Sequence, residues 1–197
     1  MTHDTTQSIR EQHSSLAAVL RSLTMMIAHG PADEPDRFFD VMRAMLFYID
    51  EFPERLHHPR ESNVLFPRVL KVAPQLMNVI EALEHDHLAG EQRVRDLQHL
   101  LLAWELLGES RRQAFEQAAA QYVRFYLDHM RVEETEVLPL AKQLLSPEDW
   151  AQLNAAFDAD PDPLTTVNRQ PIYDRLFSRI VLAAPSPVGV GPAFGRA

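Results

Sequence analysis

Four long stretches of this chain space their apolar residues at alternating intervals of four and three, and none alternates at intervals of two. That spacing lines one face of an α-helix, whereas a half-buried strand needs a period of two. The first stretch reads Ile9, His13, Leu16, Leu20, Leu23 and Ile27. The third reads Leu76, Ile80, Leu83, His87, Gly90, Val94, Leu97 and Leu101. The fourth reads Phe115, Ala118, Tyr122, Phe125, His129, Val132, Glu136 and Leu140. The second begins Phe38, Val41, Met45, Tyr48, Phe52 and then meets Pro53 and Pro59, which are expected to kink it.

Punctuation falls at Gly30-Pro31-Ala32-Asp33, at Lys71 to Pro74, at Leu107-Gly108-Glu109-Ser110 and at Ser146-Pro147-Glu148. Four long helices with such short connections predict an all-α, up-down-up-down four-helix bundle over residues 1–146. Ser110 is the expected N-cap of the fourth helix, and Ser146 that of a short helix after it. Residues 147–197 form an expected accessory segment. It holds short helices at Trp150 to Phe157 and Ile172 to Leu182, joined by the acidic turn-rich Asp158 to Pro163. The last residues, 184–197, are expected to be extended or disordered. Trp150, Leu153, Phe157, Ile172, Leu176, Phe177 and Ile180 are too apolar to be left in water. They are expected to bury against the bundle or against a second copy in a homo-oligomer.

Composition removes several chemistries. The 197 residues contain no cysteine, which excludes disulfides, thiolate metal sites and thiol catalysis. A net charge of −9 with no basic run argues against nucleic acid and anionic membranes as partners. No stretch approaches the roughly 18 apolar residues of a membrane span, and no secretory signal is visible, so a soluble, cytoplasmic protein is expected. Histidine, at nine residues, is the unusual number.

The histidines are not scattered. His57-His58-Pro59-Arg60-Glu61 followed by Leu65-Phe66-Pro67 repeats, 72 residues later, as His129-Met130-Arg131-Val132-Glu133 followed by Val137-Leu138-Pro139. In each copy Glu follows His by four, one turn along a single helix face. His13 and His87 lie on the apolar stripes of the first and third helices. One such histidine is commonly a hydrogen-bonded core residue. Four of them on four helices, with two inward glutamates, would bury many polar groups without partners unless a metal satisfied them together. Imidazole and carboxylate without sulfur suit iron, manganese, zinc or nickel. So many donors exceed one tetrahedral zinc, and two carboxylates able to bridge point to two metals. A histidine-rich di-iron site follows, with manganese or zinc as other occupants the donors suit.

These motifs resemble those of the hemerythrin-like, HHE cation-binding family. The resemblance spans about residues 8–145. It rests on Arg10-Glu11-Gln12-His13, His57-x3-Glu61 before Leu65-Phe66-Pro67, Asp86-His87-x2-Gly90, and His129-x3-Glu133-Glu134 before Leu138-Pro139. It implies a bundle around a non-haem di-iron centre that binds O2, peroxide or NO, in oxygen carriage, sensing, storage or stress response. Oxygen-carrying members place His-x3-His on the third helix, but the residue four after His87 is Glu91. His58, beside His57 at Pro59, is the first candidate for the missing histidine. His85 and Glu134 are further alternatives, to His87 and Glu133 respectively. The expected metal ligands are therefore His13, His57, His58, Glu61, His87, His129 and Glu133. His3, His29 and His99 lie outside the motifs and are read as surface residues.

Two rival readings use related chemistry. A ferritin-like di-iron protein would use Glu-x2-His pairs, and Glu54-x2-His57 and Glu84-x2-His87 fit that spacing, though helix 4 lacks one. An iron–sulfur repair protein of di-iron type, with oxidase or peroxidase chemistry, is disfavoured by the absence of cysteine.

Overall fold

The computed structural model describes residues 5–157 and 174–182. Among them there is no strand, and α1 (Thr5–His29), α2 (35–72), α3 (Met77–Leu107) and α4 (112–144) form the bundle. α1 and α3 each pack against both α2 and α4, closing the ring. With connections of only a few residues, successive helices run antiparallel. Gly30 (φ 73°) and Gly108 (φ 84°) end α1 and α3 in the left-handed region. Their N–H groups bond the carbonyls of Met26 and Trp104, each at 2.9 Å.

α2 and α4 are not regular throughout. α2 widens into π-helical turns at Asp50–His57 and Glu61–Leu65, and α4 does so at Glu133–Val137. Each proline lacks an N–H and crowds the carbonyl four residues back, and a wider turn relieves both problems. Pro53 lies inside the first π segment, and Pro67 and Pro139 stand two residues beyond the ends of the other two. Where a kink is expected, at Pro53 and Pro59, the helix runs on continuously with π-helical insertions.

The predicted stripes of α1, α2 and α3 face the core as written, apart from Ile27, which is only partly buried. That of α4 holds at Phe115, Tyr122 and His129 and slips by one residue elsewhere, first at Ala118, where Ala119 is the buried residue. Tyr126, Glu133, Val137 and Ala141 are buried, while Phe125, Val132 and Leu140 are partly buried and Glu136 is exposed. Ser110 caps nothing; it lies in a 3-10 turn, Glu109–Arg111, that leads into α4. Ser146 does cap. Its Oγ accepts from Asp149 N–H at 3.2 Å, while Asp149 Oδ2 accepts from Ser146 N–H and Oγ–H, the reciprocal arrangement of a capping box.

Two apolar clusters fill the bundle. One contains Leu16, Leu20, Phe38, Tyr48, Val94, Trp104 and Phe115. The other contains Ile9, Leu65, Phe66, Ile80, Leu83, Val137 and Leu138. Along α1, α2 and α3 the change from one cluster to the other falls at the inward histidines, between Ile9 and Leu16, Phe52 and Leu65, and Leu83 and Val94; along α4 it falls at Glu133, one turn after His129, between Met130 and Val137. A polar layer therefore crosses the bundle at one level. α5 (Pro147–Phe157) buries Leu153 and Phe157 in the second cluster, and Asn154 accepts from the Thr5 backbone N–H at 3.1 Å. A last short helix, α6 (Asp174–Phe177), and the π-helical turn after it bury Leu176 and Ile180 against the first cluster. Ile172, the acidic segment Asp158 to Pro163 and the terminal residues 184–197 lie outside the described residues, as does the side chain of Phe177. No described helix is long and apolar enough to cross a membrane.

Candidate metal centre

The polar layer is a cage of seven side chains. His13 comes from α1; His57, His58 and Glu61 from α2; His87 from α3; His129 and Glu133 from α4. All seven are buried. Their donor atoms form two groups, each with its atoms within 4.8 Å of one another: His58, Glu61, His87 and His129, and His13, His57, Glu61 and Glu133. Glu61 belongs to both, its Oε1 3.1 Å from His57 Nε2 and its Oε2 3.6 Å from His87 Nε2. Glu133 spans the same gap, with Oε2 3.2 Å from His13 Nε2 and Oε1 3.4 Å from His129 Nε2.

Every imidazole presents Nε2 to the cage and has Nδ1 held from behind. His57 Nδ1 is 2.6 Å from Gln12 Oε1, and His13 Nδ1 is 2.9 Å from Glu134 Oε1. His58 Nδ1 is 3.1 Å from Glu54 Oε2, and His129 Nδ1 is 3.5 Å from Asp86 Oδ2. Ser62 Oγ, which donates to Glu84 Oε2 at 2.7 Å, lies 3.0 Å from His87 Nδ1. A hydrogen bond at Nδ1 selects the tautomer whose Nε2 lone pair points inward, as metal-bound histidines require.

The protein groups do not satisfy one another. His13 Nε2, His57 Nε2 and all four oxygens of Glu61 and Glu133 are buried without a hydrogen-bond partner. Such atoms cost about 1–3 kcal/mol each when left unpaired, more when charged. Donors about 2.0–2.2 Å from one ion lie at most about 4.4 Å apart. Both groups are within a few tenths of an ångström of that limit, so the residues present fit a pair of cations.

As protein groups alone, the cage distributes charge unevenly. Burial, reinforced by neighbouring imidazoles, drives His57 down to about 3 and His87 to about 2, and holds His58 well below the usual histidine value. Burial opposes charge on His13 too, but the Glu133 carboxylate 3.2 Å away and the hydrogen bond to Glu134 raise it to about 9. His129 reaches about 10 against the same burial because of the Glu133 charge and the bond to Asp86. Burial and the Glu133 charge push Glu61 up, while Glu133 itself, despite burial, is held down by His129 and His13. Bound divalent cations would supply the positive charge that Glu61 lacks here and replace the protons of His13 and His129 beside Glu133, leaving the imidazoles neutral as ligands.

The family model described as Hemerythrin HHE cation binding domain matches residues 4–141. The chain belongs to this family. A search of curated proteins found no matching relative. As a hemerythrin-family protein the chain is a metal-binding protein, and its buried His and Glu clusters are where cations fit.

The remaining alternatives fall outside the cage. Glu134 holds the back of His13, His85 is exposed, and Glu91 is paired with Arg95 on the surface of α3. Neither ferritin-like pair converges: Glu54 turns to His58 Nδ1, and Glu84 to Ser62. His29 and His99 are exposed as expected, and His3 is outside the described residues. Ser62 and Tyr126 have no place in the sequence motifs, and Gln12, Glu54, Asp86 and Tyr122 stand in them or on the stripes without their role behind the histidines. Glu54 carried a usable signal, four residues before His58 on the same face.

Proposed function

We propose that this protein holds two iron ions and binds O2, or a related ligand such as peroxide or NO, for sensing, storage or stress response. His58, His87 and His129 hold one ion, His13 and His57 the other, and Glu61 and Glu133 bridge them. The observation that carries the reading is the pair of carboxylates, each with one oxygen toward either group of histidines. A histidine-rich di-iron pair supplies reversible electron donation to a small oxygen or nitrogen ligand.

The asymmetry of the donors supports one side of the cage for that ligand. His58, His87 and His129 gather with Glu61 on one side, where Glu133 Oε1 also lies 3.4 Å from His129 Nε2, whereas only two histidines, His13 and His57, gather with Glu61 and Glu133 on the other. The small ligand therefore binds on the His13–His57 side. A pocket of about 330 Å³ between α1 and α4 is lined by His13, Ala17, Leu127, Met130 and Glu134. On the other flank Phe157 of α5 meets the His57 ring edge-on, 6.2 Å between centroids, and keeps that side apolar. The residues around the cage are Phe, Tyr, Leu and Val, which exclude water and hold the imidazoles still.

Purifying the protein from iron-supplemented cells and measuring metal content with the visible spectrum tests this reading. About two irons per chain and a visible band that responds to O2, peroxide or NO are expected. Iron-free protein, or bound iron whose spectrum ignores all three ligands, would refute it.

A further inference from the structure

His58 is the least secured of the histidines by sequence, because neighbours on a regular helix point about 100° apart and His57 already faces the cage. Its orientation is fixed by a group the cage does not use. Glu54, one turn earlier, is itself buried, and its Oε2 accepts the His58 Nδ1–H at 3.1 Å. The other oxygen, Oε1, accepts the hydroxyl of Tyr122 at 3.2 Å and the hydroxyl of Tyr126. A carboxylate bound at both oxygens cannot rotate away, and its three donors offset the cost of burying it.

The surroundings are shaped around this unit. Gly90 of α3 leaves room for it: a Cβ there would overlap the Tyr126 hydroxyl and lie 3.0 Å from Glu54 Oε1. The Tyr126 ring stacks on His58 (5.6 Å, 11°), and His58 stacks on His87 (4.2 Å, 9°). By contrast, the acids behind His13 and His129 are partly exposed.

We propose that Glu54, clamped by Tyr122 and Tyr126, is the positioning residue that turns His58 Nε2 into the cage, so that α2 supplies the third histidine that Glu91 of α3 does not. The inference rests on the reading of His58 as a metal ligand. Glu54 does not touch the ion; it acts through His58, by orientation and tautomer. α3 contributes space at Gly90 where it contributes no second histidine.

The test is anaerobic titration of the metal-free full-length chain with Fe2+, reading both affinities, for the wild type and for Glu54→Gln, His58→Ala and the double variant. Glutamine keeps the shape but cannot accept at both ends. With its oxygen toward the tyrosines, its NH2 faces His58 Nδ1 and favours the Nε2–H tautomer, which cannot ligate. Turned over, it leaves the tyrosine hydroxyls without their acceptor. Glu54→Gln is expected to weaken one site about 10–100-fold and to leave the other within about twofold. That loss should disappear in the His58→Ala background, which a general structural defect would not do. An equal loss with or without His58 would overturn the proposal. So would a wild-type titration of Glu54→Gln beside a His58→Ala that loses one site. Two unchanged affinities in His58→Ala would instead defeat the ligand reading itself. Should Glu54→Gln fail to fold, Tyr126→Phe keeps the stacked ring and removes one clamp. Its weaker loss must then show the same dependence on His58, and independence of His58 would count against the proposal.

Discussion

Replacing Gly90 by alanine should lower stability even though alanine is the better helix former. In a helix interior the exchange ordinarily gains about 0.8–1 kcal/mol. At this position the new Cβ would overlap the Tyr126 hydroxyl, with Tyr126 Cζ at 3.1 Å and Glu54 Oε1 at 3.0 Å. Tyr126 has little room to retreat. Its ring lies 4.8 Å from Tyr122, 5.3 Å from Phe125 and 5.6 Å from His58, measured between centroids. Overpacking of this kind costs about 1–3 kcal/mol. Displacing the hydroxyl from the buried Glu54 carboxylate costs about 1–3 kcal/mol more. Crowding therefore outweighs propensity, and a net loss of about 1–5 kcal/mol is expected. For a chain of this size each kcal/mol moves the melting temperature by about 2–4 °C. Calorimetry or circular dichroism of the metal-free variant should record a fall of at least about 2 °C. A rise of about 2–4 °C, the ordinary reward of Gly→Ala, would refute the account of why α3 has glycine there.

Other expectations follow from the cage. Glu61→Ala and Glu133→Ala should each lower metal content from two toward one or none; full binding of two ions by both variants would remove the bridging role. Chelation should lower the melting temperature, since each ion present at 100 times its Kd contributes about 2.7 kcal/mol; an unchanged melting temperature after confirmed metal loss would contradict a buried cluster. The metal-free protein should be most stable near pH 6.5. Below that pH the unfolded chain protonates histidines that the fold holds neutral, His57 and His87 at about 3 and 2, so stability falls with acid. Above it, the stability contributed by His13 and His129, raised to about 9 and 10, is lost as they deprotonate. Urea unfolding at pH 5, 6.5 and 9 checks both limbs, and a flat profile would contradict them. Removing residues 147–197 uncovers the cluster that Leu153 and Phe157 close, and should lower the melting temperature; a truncated chain with unaltered melting and metal content would deny α5 that role.

Much of this was legible from residue spacing. The 4-3 stripe of α3 names its inward residues from Leu76 to Leu101, and the duplicated His-x3-Glu picks out both carboxylates that span the cage. The stripe of α4 failed where Phe125 and Tyr126 stand together. Both are aromatic, so hydropathy could not choose between them, and the choice was made by the Tyr126 hydroxyl finding Glu54. The π-helical turns were hidden because their only marks are prolines, which equally signal a break. His58 stayed open for a related reason. Spacing alone puts residues 54, 57, 58 and 61 on one face, but which histidine nitrogen points inward depends on a partner from α4. The outer partners were the hardest to see. Gln12, Ser62 and Asp86 are ordinary polar residues in the sequence, and only the packing of four helices brings them behind the histidines.

The central claim is two bridged ions in one cage, and a crystal of the iron-loaded protein measured at the iron absorption edge tests it most directly. Two anomalous peaks, about 3.5–4 Å apart, are expected. One should lie against Nε2 of His58, His87 and His129, the other against Nε2 of His13 and His57, with Glu61 and Glu133 between them. A single peak, or two peaks with Glu61 and Glu133 ligating neither or only one of them, would contradict it.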